Sequence, residues 1–547
     1  MISCLRLGNF KAFADPQEIL FRPLTLIFGA NSAGKSSVIH SLALAHHAVL
    51  TGELDTQRTE IGGESIDLGG FRQYVHRRDI SRQVEWTIEL ETRVLTGRLG
   101  ELLAPAKTVA MQFLIGEAAA TGVGVQSCAL LADGMAFLTM SARGSERLRV
   151  DRLDQSHPVL REVLKAIVLS ATTTQEVRDE DFAGIDEAVD ALVPDIFVSL
   201  DRFLPRVDAR MSAEQETMQT LLFPVSQGER QEGLRQVVRM FLPRTLREIV
   251  NGLSAVIEDE VGRLKYLGPL RSYPPRHLAF SAHHDPNWHA GGGSSWDVLR
   301  RDSVVRTAVN GWLNSRQHLS TPYEIVVRDL LAFDQLDSPL HHALEVLSES
   351  DNLTIEPDYD NEPEPTGAYP AIKDIEAEVE HFKKVLRTAD IDRVTELVLT
   401  DRRSNTVVTH RDVGIGVSQV LPVLVNAYGL KNSLIAIEQP EIHLHPALQA
   451  ELGDVFINSA LGESRNMFLL ETHSEHLLLR IMRRMRETAQ GTLPEGLQAV
   501  HLDDVMVLYV EPDGSRSIIR QMPLNERGEL VKAWPGGFFE EGLREVF

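Results

Sequence analysis

Cysteine is nearly absent: 547 residues hold only Cys4 and Cys128. Two thiols exclude a disulfide framework and make a reducing cytoplasm the expected location. No apolar run is long enough to cross a bilayer, so no membrane-spanning helix is predicted. The opening Met1-Ile2-Ser3-Cys4-Leu5-Arg6-Leu7 lacks the layout of a signal peptide and reads as a first strand. Positive charge is in deficit, with 55 Lys and Arg against 78 Asp and Glu, a net −23. A chain that coats nucleic acid without specificity is usually basic. Any DNA contact is therefore a local patch, or comes through a partner. Metal-ligand spacing is missing too. His283-His284 and Gly291-Gly292-Gly293 read as a loop, because no second cluster accompanies them.

What is present is organised around Leu24 to Ser37, Leu-Thr-Leu-Ile-Phe-Gly-Ala-Asn-Ser-Ala-Gly-Lys-Ser-Ser. The apolar run Leu24–Phe28 predicts a buried strand, and Gly29 opens a loop. Lys35 and Ser36 begin a helix whose Val38, Ile39, Leu42 and Ala45 recur at helical spacing. Gly29, Gly34, Lys35 and Ser36 have the spacing of the Walker A phosphate loop. A polyphosphate must be wrapped by backbone N–H groups, so the loop bends where glycine bends cheaply. The expected binding residues are Gly29, Asn31, Ser32, Ala33, Gly34, Lys35, Ser36 and Ser37. Lys35 reaches the outer phosphates, the Ser36 hydroxyl ligates magnesium, and the helix N-terminus favours the anion.

Along the chain, Leu5, Leu7 and Phe10 alternate as one strand, and Ile19 and Phe21 mark a second. Gln73, beyond the Walker A helix, is a candidate for the magnesium shell, and a surface role explains it equally well. Val84, Trp86, Ile88 and Leu90 alternate with polar residues and predict a half-exposed strand. Strand-like pieces at Val109–Ile115 and Ala129–Met140 give way to helical patterns from about Pro158. The acidic stretch Glu176–Asp190 reads as a solvated face or a connection. Gly268-Pro269 ends the element before it. Arg271, just after, either faces phosphate or is a structural arginine. Residues 297–347 read as helical, Glu349–Tyr369 as an acidic linker, and Ile372–Leu386 as another helix. Val394–Leu399 and Thr406–Thr409 read as a strand pair.

A second group of motifs follows. Gly414, Gly416, Ser418 and Gln419 form a small-residue turn before the apolar helix Val420–Tyr428, an anion-binding nose. Ser418 also suits a plain N-cap. Ser433-Leu434-Ile435-Ala436-Ile437-Glu438 is a short apolar strand ending in a carboxylate, the Walker B arrangement, with Glu438 beside the magnesium. The next position ordinarily carries the carboxylate that polarises the attacking water, and here it is Gln439. An amide orients water but takes no proton from it at neutral pH. Glu441, two residues on, is the candidate to supply that charge. His443 and His445 follow, and a metal role for the pair is disfavoured. Asn466 to Glu471 is another buried strand, ending in Thr472, His473 and Ser474.

These stretches, Gly29–Ser37, Gly414–Gln419, Glu438–Pro446 and Glu471–Ser474, resemble those of ABC-type ATPases, the SMC- and RecF-like class, and most closely its OLD-like "AAA family" branch. The resemblance covers the first hundred residues and roughly residues 390–485. It implies an α/β P-loop NTPase fold with an ABC-type head and a large, mainly helical insertion. The implied division is a first lobe at 1–100, the insertion at 101–390, a second lobe at 391–485, and a short tail at 486–547 packing on the head. It implies ATP and Mg2+ as cofactors and a homodimer or higher oligomer closing around them. Gly416, Ser418 and Gln419 would then cap the γ-phosphate held by a second copy. His473 would sense that phosphate, and the Ile442–Pro446 segment would cross to the other subunit. The turn Asn9-Phe10-Lys11 would lie near the base and phosphates. The tail carries a basic helix (Arg480, Arg483, Arg484, Arg486), strands at Val505–Val510 and near Ile518, and no Toprim signature. A separate effector, nuclease or toxin, is the expected partner, and defence against phage the expected setting. A nucleotide-gated scaffold with little hydrolysis is the alternative that Gln439 motivates. A RecF-like DNA-repair ATPase is disfavoured by the acidic charge and the lack of a long heptad arm.

Overall fold

The computed structural model describes residues 2–118, 122–142, 147–172, 176–207, 230–271, 287–315, 320–331, 380, 383–384, 393–408 and 415–535. Among them, three sheets carry the architecture. The first is antiparallel throughout. It holds β1 (Ile2–Gly8), β2 (Gln17–Leu20), β4 (Val84–Glu91), β5 (Thr108–Ala118), β6 (Gly122–Ala132), β7 (Met135–Ala142), β8 (Arg147–Leu153), β9 (Phe197–Asp201) and β10 (Leu204–Val207), in the order β10-β9-β8-β7-β6-β5-β4-β1-β2. The second holds β3 (Leu24–Gly29), β11 (Leu264–Leu267), β15 (Leu434–Glu438), β16 (Met467–Glu471), β17 (Val505–Asp513) and β18 (Arg516–Gln521), in the order β11-β15-β16-β3-β17-β18. Only β18 in this sheet is antiparallel to its neighbour. The third is a small antiparallel sheet of β12 (Tyr323–Leu331), β13 (Arg393–Asp401) and β14 (Thr406–Val408).

The second sheet is covered on both faces, which is why its strands are apolar without interruption. Alternate side chains enter two different cores. Ile27, Ala436, Leu469 and Leu508 pack with the nine-stranded sheet and the helix Ser36–Thr51. Leu24, Leu26, Phe28, Ile435, Ile437, Phe468 and Leu470 pack on the other side. There they meet the helices Ile415–Gly429, Pro446–Leu461 and Glu475–Gln490. A helix of 33 residues, Arg230–Gly262, lies against the helix Ser36–Thr51 and β10. Its Ser254 hydroxyl donates to the Pro205 carbonyl at 2.7 Å.

Several expectations change on contact with the fold. The boundary at residue 100 falls between β4 and β5, which pair from Val84↔Ile115 to Glu91↔Thr108. The strands of residues 108–207 thus extend the sheet that β1 and β2 begin. The chain after residue 485 also does more than pack on the head. β17 sits between β3 and β18 inside the phosphate-loop sheet, and Trp534 lies edge-on to Phe28 at 5.4 Å. Ala129–Met140 is two strands rather than one. Asp133 (φ 48°) and Gly134 (φ 79°) form the two-residue turn between β6 and β7, as an Asp-Gly pair does in a tight hairpin. The helical reading of 297–347 holds for Ser294–Arg301 and Ser303–Asn314 and fails at β12, while residues 316–319 and 332–347 lie outside the described residues. In β12, Tyr323, Ile325, Val326 and Val327 are strand-favouring residue types, and nine consecutive pairs with β13 hold the strand. Of Ile372–Leu386 only residues 380, 383 and 384 are described, and Glu349–Tyr369 and Gly414 lie outside the described residues.

Candidate functional site

The parallel strands of the second sheet end together, and the polar residues of the two motif groups meet at those ends. β3 stops at Gly29, and β15 and β16 stop at Glu438 and Glu471, which are partners in register. The loop after β3 is shaped by two glycines. Gly29 has φ 148°, and a Cβ there would come within 2.3 Å of the Val510 carbonyl oxygen; Gly34 has φ 94°, and a Cβ there would meet Ala12 at 2.5 Å. No other residue type fits either position, so both the bend and the neighbouring backbone demand glycine. Ser32 joins them with φ 61°. Asn31 and Ser32 are exposed, Ala33 is buried, and Ser37 is buried one residue into the helix.

Lys35 is 4% exposed. Its ammonium donates to the carbonyls of Gly29 at 3.2 Å and Ala30 at 3.0 Å, and faces Glu471 at 3.8 Å. Burial lowers its pKa, while Glu471, Glu438 and Glu441 hold the charge on. Glu471 is the mirror image. Burial and then Glu438 push its carboxyl up to about 7, against Ser36 and Lys35 pulling down. One Glu471 carboxylate oxygen, Oε2, has no hydrogen-bond partner among the described residues. Glu438 accepts from the Tyr266 hydroxyl at 3.0 Å and faces His40 Nε2 at 3.7 Å. The other ring nitrogen of His40 lies 2.6 Å from Lys11 Nζ. A lysine ammonium only donates, so Nδ1 accepts and Nε2 carries the proton toward Glu438. Burial lowers the pKa of His40 and favours that neutral ring. Burial also brings Lys11 down to about 8, with Asp67 and Glu438 opposing.

The turn after β15 is held from several sides. Gln439 takes a positive φ of 47°, and its N–H donates to the Glu471 carbonyl at 2.7 Å. Glu441 is buried, and both its oxygens are engaged. They accept from the Thr472 hydroxyl at 2.8 Å and the His473 backbone N–H at 2.7 Å. It therefore joins the ends of β15 and β16, and burial raises its pKa. His473 is half-buried beside this junction, its pKa lowered by burial and then by Lys35. His445 caps the helix Pro446–Leu461, its Nδ1 accepting from the Ala447 N–H at 3.3 Å.

Two expected residues, Ser418 and Gln419, sit differently from their sequence reading, and two more, Gln73 and Arg271, take the plainer of their two readings. Ser418 is only 2% exposed, inside the helix Ile415–Gly429 rather than at its cap. Gln419 is buried too, its amide donating to the Arg271 carbonyl at 3.1 Å. Of that motif Gly416 is the half-exposed member, and a Cβ on it would lie 2.8 Å from the His443 carbonyl oxygen. Gln73 is exposed on the short helix Phe71–Tyr74. It lines a cleft of about 870 Å³ shared with Lys11, Asp67, Arg77 and Arg78. Arg271 takes the structural alternative: its guanidinium is buried on the backbone carbonyls of Gln419, Glu438 and Gln439.

Sequence reasoning did not single out His40, Tyr266 or Glu471 as site residues. Glu471 had a signal, since it ends a buried apolar strand just as Glu438 does. His40 had a faint one, four residues after Ser36 and so on the same helix face. Tyr266 had none, because only the pairing of β11 with β15 sets it opposite Ala436 and brings its ring to Glu438. Among the described residues, no group of three or more His, Cys, Asp or Glu side chains would hold a metal alone.

Residues 4–112 match a family described as an AAA domain. Residues 339–480 match one described as an AAA domain, putative AbiEii toxin, type IV TA system. No curated protein matches the chain. Among solved structures it is similar to three SMC heads. One, bound to the C-terminal winged-helix domain of ScpA, is 10% identical, with 96% of this chain and 98% of that one covered and a TM-score of 0.35. One from Pyrococcus furiosus, with an extended coiled coil and bound to the C-terminal domain of ScpA, is 11% identical (100% and 98% covered, TM-score 0.34). One from Thermotoga maritima is 9% identical (96% and 99% covered, TM-score 0.33). These likenesses are slight, and the fold is recognised from its sheet and loop. The two AAA-domain matches cover the segment that supplies Lys35 and the segment that supplies Glu438 and Glu471; the chain has the α/β P-loop NTPase fold and is similar to ATP-binding ATPase domains.

Proposed function

We propose that this chain is an ABC-type ATPase of the OLD-like branch that binds ATP and Mg2+, hydrolyses ATP slowly, and pairs with a second copy around the nucleotide. The observation that carries the reading is the convergence of Lys35, Ser36, Glu438 and Glu471 at the ends of parallel strands. The residues fit a phosphate-bound magnesium. Ser36 and Glu438 would hold it, and Glu471, whose Oε2 has no hydrogen-bond partner among the described residues, stands within the same cluster. Magnesium is commonly held by one or two carboxylates plus substrate phosphates, so a full protein cage is not required. When bound, the metal would neutralise charge on the transferring phosphate.

In this mechanism Lys35 leaves the Gly29 and Ala30 carbonyls for the outer phosphates. The N–H groups of residues 31–37 wrap the rest. Tyr266 and His40 orient the Glu438 carboxylate. Gln439 orients the attacking water by hydrogen bonding, and His473 reads the γ-phosphate. Glu441 serves this site by joining the two strand ends, since Thr472 and His473 already occupy its oxygens. Hydrolysis without a free general base is slow. The product of such slow turnover is a timed conformational state, which suits control of a separate effector, a nuclease or toxin, in defence against phage. The toxin–antitoxin wording of the family matched by residues 339–480 supports that setting.

The occupied oxygens of Glu441 also favour a second reading, a nucleotide-gated scaffold that scarcely hydrolyses. Calorimetry and a turnover assay separate the two. Lys35→Ala should weaken ATP binding by about 10²-fold or more, because charge-assisted contacts to phosphate are lost. Unchanged affinity would overturn the site. Wild-type turnover no higher than that of Lys35→Ala would leave the scaffold in place of the enzyme.

A further inference from the structure

Arg271 is buried, 5% exposed, on the stretch that leaves β11 after Gly268-Pro269-Leu270. Its guanidinium touches two separate segments. Nη1 donates to the Gln419 carbonyl at 2.9 Å, and Nη2 donates to the carbonyls of Glu438 at 3.1 Å and Gln439 at 2.9 Å. Gln419 answers by donating its side-chain amide to the Arg271 carbonyl at 3.1 Å. The contacts thus run both ways between the Arg271 stretch and the helix Ile415–Gly429. Among the described residues no carboxylate lies within ion-pair distance of Arg271, and burial brings its pKa down to about 10, with the nearby Glu441 opposing.

A cation so placed is costly, and carbonyls repay it only in part. What the arrangement secures is geometry. Gln439 sits at φ 47°, a region that a non-glycine residue enters only when its surroundings hold it there. Those surroundings are the Glu471 carbonyl on its N–H and Arg271 on its carbonyl oxygen, which also accepts from the Ile442 N–H at 3.2 Å. The same helix meets the same turn a second time, where Gly416 packs against the His443 carbonyl.

We infer that Arg271 is a positioning residue that holds the Gln439 turn in its strained form and locks it to the helix Ile415–Gly429. Displacement of that helix by a second copy then reaches the water-orienting amide. The guanidinium suits the task because its planar fork spans carbonyls on two segments, which a single ammonium cannot. The inference rests on the proposed role of the Glu438–Gln439 turn in hydrolysis and, for its trigger, on the proposed pairing with a second copy.

The test compares wild type with Arg271→Lys, which keeps the charge and loses the fork. Amide hydrogen exchange in the nucleotide-free protein is the first measurement, because it does not depend on turnover. Exchange should quicken together in residues 417–420 and 439–444, with the rest of the second sheet unchanged. Quickening in one segment alone, or in neither, would overturn the coupling. The second measurement is kinetic. ATP affinity should stay at the wild-type value while kcat falls on the order of 10 to 10²-fold, the scale for a misplaced reacting group. Equal losses in affinity and kcat, or no loss in either, would overturn the positioning role. Gln419→Leu, which removes only the returning amide contact, gives a milder form of the same paired exchange if Arg271→Lys fails to fold; changes confined to the helix would count against the lock. A wild type no more active than Lys35→Ala refutes hydrolysis and not the lock, which the exchange experiment still decides.

Discussion

A carboxyl group buried beside another carboxyl keeps its proton to unusually high pH, and Glu471 is the clearest case here. Its folded value of about 7 lies above the ordinary value of 4.5, with burial the leading cause and Glu438 the second. The folded state therefore holds an extra proton between those limits. The resulting stability is complete below the lower value and is lost as pH rises through the upper one. Glu471→Gln removes this titration. The stability of the variant relative to wild type should rise by about 2 kcal/mol between pH 5 and pH 8, the scale of a shift of this size in a buried group. Denaturant melts at the two pH values, with chelator and without nucleotide, measure it. A constant difference across that range would mean that Glu471 is already ionised in the resting protein. The identity of Glu471 was readable from the sequence, but its proximity to Lys35 and Glu438 was not. That proximity comes from three strands stopping at one level.

Among the elements, the helices Pro446–Leu461 and Glu475–Gln490 show how a sequence pattern changes meaning in the fold. The second helix carries four arginines and looks like a basic face. Arg483 pairs within its own helix with Glu487 at 2.8 Å, and two others reach across to the neighbouring helix. Arg484 holds Asp454 with Nε at 2.7 Å and Nη2 at 2.8 Å. Arg480 holds Asp454 at 2.6 Å and Glu451 at 2.7 Å. Asp454 is buried between the helices, so its charge is needed to compensate theirs. Asp454→Asn should cost about 3 kcal/mol in chemical denaturation, the low end for breaking a buried pair. A loss under about 1 kcal/mol would place the pair with exposed ones. A single sequence shows each arginine but not the aspartate thirty residues earlier that neutralises it.

For the whole molecule, the net charge of −23 sets the terms of self-association. Two copies repel at long range, and salt screens that repulsion over about 10 Å at 0.1 M. ATP-dependent pairing should therefore strengthen as salt rises from low values, as read by light scattering. His443 is exposed at φ 63° on the segment proposed to cross between copies. Asn and Asp both tolerate that backbone region. His443→Asp adds a negative charge at the seam and should lower the dimer fraction, while His443→Asn should leave it near wild type. Equal dimer fractions in all three proteins would move the seam elsewhere. The fold gives a second whole-molecule lesson. β3, near the start of the chain, lies between β16 and β17 from its last hundred residues. The phosphate loop is thus built on strands that are among the last in the chain.

The sequence by itself determined the chemistry. Glycine spacing, a lysine and a serine at a helix start, and two apolar strands ending in carboxylates can be read locally, because each depends on neighbours within a few residues. It determined β1, β2, β3, β15 and β16 for the same reason: alternation or an apolar run is a local property. Tertiary structure alone decided what those groups face. It turned Gln419 inward to Arg271, closed Glu441 onto Thr472 and His473, and set Tyr266 and His40 on Glu438. It also made residues 108–207 an extension of the first sheet and placed β17 beside β3. Each of these outcomes depends on strand order and register between distant segments, which a single sequence does not encode at any fixed spacing.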